Sequence, residues 1–459
     1  MGNDQRKKAS AMRKANSLDM TQGPIVKKLL LFALPILASA LLQHFYSIAD
    51  SVVVGNFAAN GTTAQAAIGA TNHVTKILLN LFTGIALGAN VVCAQLQGAK
   101  DHAALQKSRH TAVLLSVLLG LLLMMLGLLL SKTLLVMTNT PKDVFDSALT
   151  YMRIVFLGMP ASLMYNFGSA ILRANGDTKR SMYILGVTGL VNVALNIVLV
   201  VSFHLDVVGV AVATIAAQYL SAFAVLYILF NKKQAYKLRL KELRLDRRLM
   251  FKIIAVGLPC GINGILQSTS NVILQSTVNI FGKEVIAGCA AAADISCFAY
   301  LVNDAFAAAC LSSAGQCHGA KNHKRIDRIA VTAAICDSII VLFMATVITI
   351  FSRQLLRIFN PDPAVIEAGL FRLLLLSWTT VFFGISECLV GSVRGMGRSL
   401  SPTVINLVFL CGVRLAWAIF IFPLLPQDPA YLFLCYPISW VLSLGAQTIN
   451  YIHCRKQLA

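Results

Sequence analysis

Twelve apolar stretches divide this chain, and each is long enough to cross a bilayer as a helix. They run at about 25–54, 64–94, 105–131, 144–172, 181–203, 208–231, 249–281, 285–317, 329–352, 364–393, 401–423 and 430–453. A hydrocarbon core about 30 Å thick takes about 20 residues of helix. Backbone polar groups find no water there, so stretches of this length must satisfy them internally as helices. Composition agrees: of 459 residues, 57% are apolar and 13% charged. That is about half the charged share of a soluble domain. So few charges cannot cover a soluble fold of this size, which excludes a cytosolic enzyme and a disordered chain. The expected fold class is an all-α membrane protein.

Charge placement tests the count of twelve. The net charge is +20, from 39 Lys+Arg against 19 Asp+Glu. In a soluble protein such a balance points to nucleic acid. In a membrane protein it marks cytoplasmic loops, and no nucleic-acid partner is expected. With twelve spans, 30 of the 39 basic residues lie in or beside the N-terminus, the loops after even-numbered spans, and the C-terminus. The opposite loops hold only Lys132, Lys142, Lys283, Arg353 and Arg357, while Lys76, Arg153, Arg372 and Arg414 lie within spans. This bias places both termini in the cytoplasm of a multi-pass protein of the plasma (inner) membrane. The 11 cysteines form no CxxC pair and sit mostly in apolar runs, so they read as packing residues and no disulfide is needed.

The chain also repeats itself. Ala33-Leu34-Pro35 with Gln43 matches Gly257-Leu258-Pro259 with Gln267, at an offset of 224. Gln95 to Lys100 matches Gln316 to Lys321, and Arg173 to Gly176 matches Arg394 to Gly397, both at 221. Near-constant offsets signal a duplicated unit. The expected organisation is a cytoplasmic tail (1–24), an N-lobe of six spans (25–231), a basic cytoplasmic linker (232–248) and a C-lobe of six spans (249–459). The tail and the first apolar run do not read as a cleavable signal. The linker carries eight Lys/Arg, suited to anionic headgroups. Six is even, so both halves enter from one side. The repeat is then parallel, two six-helix bundles about a pseudo-twofold along the membrane normal, with a cavity between them. That is transporter architecture.

Several motifs carry a family resemblance. They are Gln43-x-x-Tyr46-x-x-x-Asp50-x-x-x-x-Gly55, Arg173-Ala-Asn-Gly-Asp177, Asn192-x-x-x-Asn196, Gly209-Val-Ala-Val-Ala-Thr214 and Tyr436-Pro-Ile-Ser-Trp440. In order and spacing the chain resembles the multidrug and toxic compound extrusion (MATE) family from about Gly23 to Arg455. The resemblance implies export of organic compounds driven by inward H⁺ or Na⁺, with a monomer in the lipid bilayer. It also implies that Asp50 is the N-lobe coupling acid, with Asn192, Asn196 and Thr214 as its polar network. Many members have an aspartate where Asn196 stands. An amide cannot titrate and offers a cation one carbonyl, so H⁺ is favoured over Na⁺.

Charges inside a bilayer are costly and tend to be functional. Asp50 ranks first. Gln43, Tyr46 and Asp50, at i, i+3 and i+7, share one helix face, with Gln43 and Tyr46 expected to line the substrate cavity. Desolvation disfavours charge in an apolar cavity, so a carboxylate there can take a proton from one side and release it on the other. The alternative is a solvated helix end. Lys76, in the second span, would line the cavity, snorkel, or pair with Asp50. Gln267, Asp294, Glu387 and Arg414 are the C-lobe candidates for a substrate cavity. Glu387 and Arg414 are expected to compensate each other, as a functional or a structural pair. Gln267 stands where some members carry a glutamate, which weighs against a C-lobe Na⁺ site of that kind. Asp337, on a span expected at the periphery, reads as solvated or locally partnered. Pro35 and Pro259 permit bends at matching places in spans 1 and 7.

No GxxxxGK[ST], GxSxG, HExxH or Cys/His metal spacing occurs. No enzyme, cofactor or metal site is therefore expected beyond the coupling ion. The leading function is an H⁺- or Na⁺-coupled antiporter for amphiphilic, often cationic, organic compounds. The alternative is a flippase for a lipid-linked saccharide. Its pyrophosphate would need a strongly cationic cavity, for which only Lys76, Arg153, Arg372 and Arg414 are available. A scaffold or receptor would need neither the repeat nor the acid.

Overall fold

Each span begins or ends where turn chemistry allows it, and the duplicated motifs make the same turns. In the computed structural model, which describes residues 18–57, 61–138, 140–231, 238–239, 242–426 and 428–458, Lys100 and Lys321 both have positive φ, 58° and 55°. The amides after them close back onto the preceding helix, Asp101 to Leu96 O and Asn322 to Cys317 O. Asp101 and Asn322 then cap the next helix by accepting from the amides of Ala104 and Arg325. At Gly176 and Gly397, φ is 82° and 89°, a left-handed turn that glycine enters without a Cβ clash. The 221-residue offset is thus present in the backbone itself.

The helices are α1 (Ile25–Phe57), α2 (Gly61–Gly98), α3 (His102–Met137), α4 (Lys142–Leu157 with Met159–Ala174), α5 (Thr178–Ser202) and α6 (Asp206–Phe230). They continue as α7 (Arg247–Phe281), α8 (Lys283–Gly319), α9 (His323–Phe359), α10 (Pro363–Gly395), α11 (Leu400–Leu424) and α12 (Pro429–Lys456). No strand occurs among the described residues. Eleven of the twelve pass individually as apolar spans, and α4 does so as a pair bent by 44°. The bend falls at Gly158, ahead of Pro160, whose ring lacks the amide that would continue the helix. Exposed faces are apolar: α3 turns Leu118, Leu122, Met125 and Leu129 outward, a stripe for lipid.

Two compact units result. Unit 1 holds Ala38–Gly261, with the stretch ending at Asp19, and unit 2 holds Met20–Leu37 and Ile262–Ala459. The beginning of α1 therefore belongs to unit 2 and the beginning of α7 to unit 1. Both changes fall two residues after the matched prolines, Pro35 and Pro259. In unit 1, α2 and α7 cross on glycines. A Cβ on Gly84 would lie 2.1 Å from Gly261 N, and one on Gly88 2.2 Å from Ile253 O. Gly84-x-x-x-Gly88 against Gly257-x-x-x-Gly261 lets the two backbones touch, as small-residue crossings do in membranes.

The segments ahead of α1 and α7 are tied down. Met20 N donates to Gln316 Oε1 at 2.9 Å, and Arg325 donates to the carbonyls of Met20, Gln22 and Gly23 at 2.7–2.8 Å, all in unit 2. In unit 1, Arg239 N donates to His110 Nε2 at 3.2 Å and Asp246 N to Thr111 Oγ1 at 3.1 Å. The expectations for residues 1–17 of the tail and for 232–237 and 240–241 of the linker lie outside the described residues.

Candidate functional site

Unit 1 brings Asp50 together with both asparagines. Asn196 Nδ2 donates to Asp50 Oδ1 and lies 3.5 Å from Asn192 Oδ1. Asn192 and Asn196 are one turn apart on α5, so both amides face α1 from one side. Asn196 is fully buried and Asp50 half-buried. Tyr151, on α4, lies within electrostatic reach of the Asp50 carboxylate. Tyr46, one turn earlier on α1, donates its hydroxyl to Gly186 O at 2.9 Å. Its ring lies on Gly189, where a Cβ would come within 1.7 Å of it. The absence of a side chain at that position lets α1 and α5 approach.

The remaining unit 1 candidates stand apart. Thr214 donates its hydroxyl to Val210 O at 2.8 Å, within its own helix. Among the described residues it makes no hydrogen bond to Asp50. Gln43 is exposed, as is Lys76. No ion pair joins Lys76 to Asp50 among the described residues.

In unit 2 the expected Glu387–Arg414 pair does not form. Both side chains are buried. Arg414 donates from Nε to Ser439 Oγ at 3.0 Å and lies 4.4 Å from the centre of the Tyr436 ring. Glu387 lies instead within reach of Arg394 and Asn406. Depth accounts for this. Glu387 is about 12 Å of helix from the end of α10, while Arg414 is about 21 Å into α11 from the adjoining turn. Gln267 is half-buried and Asp294 exposed.

Asp337 departs most from its expected place. It is 0% exposed and points from α9 between α8 and α10. With its amide nitrogen facing the carboxylate, Asn303 donates to Asp337 Oδ1 at 3.0 Å and reaches Oδ2 at 3.3 Å. The other amide atom of Asn303 is 3.5 Å from Thr380 Oγ1. Gly384 supplies bare backbone beneath the carboxylate, since a Cβ there would lie 2.0 Å from Oδ2. Asp304, on α8, is within electrostatic reach of both Asp337 and Glu387. A signal for this cluster was present in the sequence: Asp337 is the only charged residue in the run 329–352. Among the described residues, no group of three or more His, Cys, Asp or Glu is placed to share a metal ion.

Comparison with known proteins places the fold and its repeat in a family. The MatE family model matches residues 35–198 and again residues 259–419, one match per half of the repeat. "Probable multidrug resistance protein YoeA" of Bacillus subtilis is 26% identical over 422 residues, covering 90% of each chain. "Probable multidrug resistance protein NorM" of Thermotoga maritima is 25% identical over 396 residues, 85% of this chain and 84% of that one. Among solved structures, one described as an outward-facing multidrug resistance MATE family transporter superposes with a TM-score of 0.88. It is 20% identical and covers 96% of this chain and 97% of its own. With the family model matching across both halves, the chain belongs to the multidrug and toxic compound extrusion (MatE) family of membrane transporters.

Proposed function

We propose that this protein is an H⁺-coupled antiporter that exports amphiphilic organic compounds, cations among them, by alternating access, with Asp50 as the proton carrier. The supporting observation is the contact between Asp50 and Asn196. A Na⁺ site needs several converging oxygens. Here the neighbouring amide turns its hydrogens, not its oxygen, toward the carboxylate, and among the described residues no second carboxylate joins it. That environment suits a group that gains and loses a proton.

Protonation would act directly on this contact. An ionised carboxylate only accepts hydrogen bonds, whereas a protonated one carries a donor of its own. If the proton goes on Oδ1, the Asn196 contact is lost unless the amide turns over. Asn196 Oδ1, buried and without a hydrogen bond in this state, would then become the acceptor. The contact joins α1 to α5, so proton binding changes how those two helices are held. Pro35 permits α1 to bend in response. The distribution of Lys and Arg supports cytoplasmic termini in a plasma membrane. Relatives named as multidrug resistance or export proteins support the cargo class.

The test is transport in inverted vesicles, with a proton gradient or a Na⁺ gradient imposed separately. Uptake driven by protons alone, and lost in Asp50→Asn, is the expected result. Na⁺-driven uptake would overturn the choice of ion. An Asp50→Asn protein that folds and transports normally would remove Asp50 from coupling.

A further inference from the structure

Two guanidinium groups lie in the interior of unit 2 with no carboxylate against them. Arg372, on α10, is 9% exposed. It donates to Cys289 O at 3.0 Å and lies 5.0 Å from the centre of the Phe433 ring. Its Nε has no hydrogen-bond partner among the described residues. Arg414, on α11, is 6% exposed, donates to Ser439, and stacks near Tyr436 and Trp440 at 4.4 and 5.8 Å. Among the described residues neither forms an ion pair.

The two cations serve one neighbourhood. Both lie within electrostatic reach of Tyr300, Cys435 and Tyr436. Tyr300, Phe383, Tyr436 and Trp440 join by ring contacts of 5.7–6.3 Å. The indole Nε1 of Trp440, 1% exposed, also lacks a hydrogen-bond partner among the described residues. A guanidinium carries five N–H donors, and among the described residues Arg372 and Arg414 each give one hydrogen bond to an oxygen of the protein. Ring faces offset part of the cost of a buried cation. Burying such charge without a counter-ion is costly. The acid expected to neutralise Arg414, Glu387, is engaged elsewhere.

We propose that Arg372, Arg414 and Trp440 form a subsite for an anionic group, a carboxylate or phosphate, on an amphiphile whose apolar body lies along Tyr300, Phe383 and Tyr436. Arg fits planar oxyanions through paired N–H donors, and the unpartnered indole N–H adds a third donor. The subsite deepens the export reading and rests on it for the role of the bound compound as cargo. A free organic acid and an anionic lipid headgroup share this chemistry.

The test is binding to the full-length protein in phosphatidylcholine liposomes, with radiolabelled 1-naphthoate as probe and the neutral 1-naphthamide as its control. Naphthoate should bind saturably and roughly tenfold or more tighter than the amide, and Arg372→Gln and Arg414→Gln should each remove most of that preference. Equal binding of acid and amide to wild type overturns the subsite without any variant having to fold. So does unchanged naphthoate affinity in arginine variants that remain monodisperse and melt like wild type. Displacement of naphthoate by phosphatidylglycerol in the liposomes keeps the subsite and assigns it to a lipid phosphate. No displacement keeps it for organic carboxylates. Intact binding with no export of any compound would sink the transport reading alone. Intact export with no charge-selective binding would sink the subsite alone.

Discussion

The two halves share their turns, but the charged and amide groups singled out within their spans stand at positions that do not correspond. At the repeat offset of 224, Asp50 corresponds to Leu274, and at 221 Asn192 and Asn196 correspond to Val413 and Trp417. The carboxylate–amide contact of unit 1 has thus become apolar in unit 2, where Leu274 is buried in a core with Trp417 packed against it. The reverse holds as well. Asp337 corresponds to Ser116, Arg372 to Tyr151 and Arg414 to Val193. Even the packing is inverted: Tyr46 rests on Gly189 in unit 1, and the matching pair in unit 2 is Ser270 with Leu410. Backbone geometry is held by caps and glycines that duplication copied. The side chains at these positions have diverged toward different chemistry: Asp50 with two amides in unit 1, and Asp337 with Asn303, and Arg372 and Arg414 among rings, in unit 2.

The sharpest way to break this contrast is Asp50→Asn. Proton-driven uptake should fall to the level of empty vesicles while the protein stays folded, since the amide fills the same space. If Asp337→Asn has that effect and Asp50→Asn does not, coupling belongs to unit 2. Next in size is Asp337→Leu. It removes the partner of the buried Asn303 amide, which should cost about 1–3 kcal/mol and lower the thermal midpoint in detergent. The same change at half-buried Asp50 should cost less, and equal losses would undo the distinction between the sites.

An effect of similar size is expected from Gly189→Ala. The new methyl meets the Tyr46 ring, an overpacking of about 1–3 kcal/mol that Tyr46→Ala should relieve in the double variant. Additive losses would show that the ring moves freely off α5. The smallest effect is Thr214→Val. A change of about 0.5 kcal/mol or less is expected, with proton dependence retained, because among the described residues its hydroxyl serves only Val210 O in this state. An effect as large as that of Asn196→Leu would place Thr214 in the Asp50 contact in another state of the cycle.

Much of this was legible in order and spacing alone. Apolar run length located twelve spans because the bilayer sets one length for all of them. The bend within α4 escaped that reading, since Gly158 and Pro160 interrupt the helix without interrupting its hydropathy. Duplicated turns showed through because a capping residue and a left-handed glycine act within a few positions of each other. Asp50, Asn192 and Asn196 could be grouped because their motifs recur at family spacing.

What lay beyond the sequence is what depends on depth and on facing helices. Glu387 and Arg414 looked like a pair by opposite charge, yet they sit at different heights and each has other neighbours. Asp337 looked peripheral because nothing within α9 indicates that Asn303 and Gly384 meet it from two other helices. Period and composition act along one helix, so they determine which segments cross the membrane and how they turn. Which charges meet is decided by the packing of several helices at once, and only the tertiary structure contains that information.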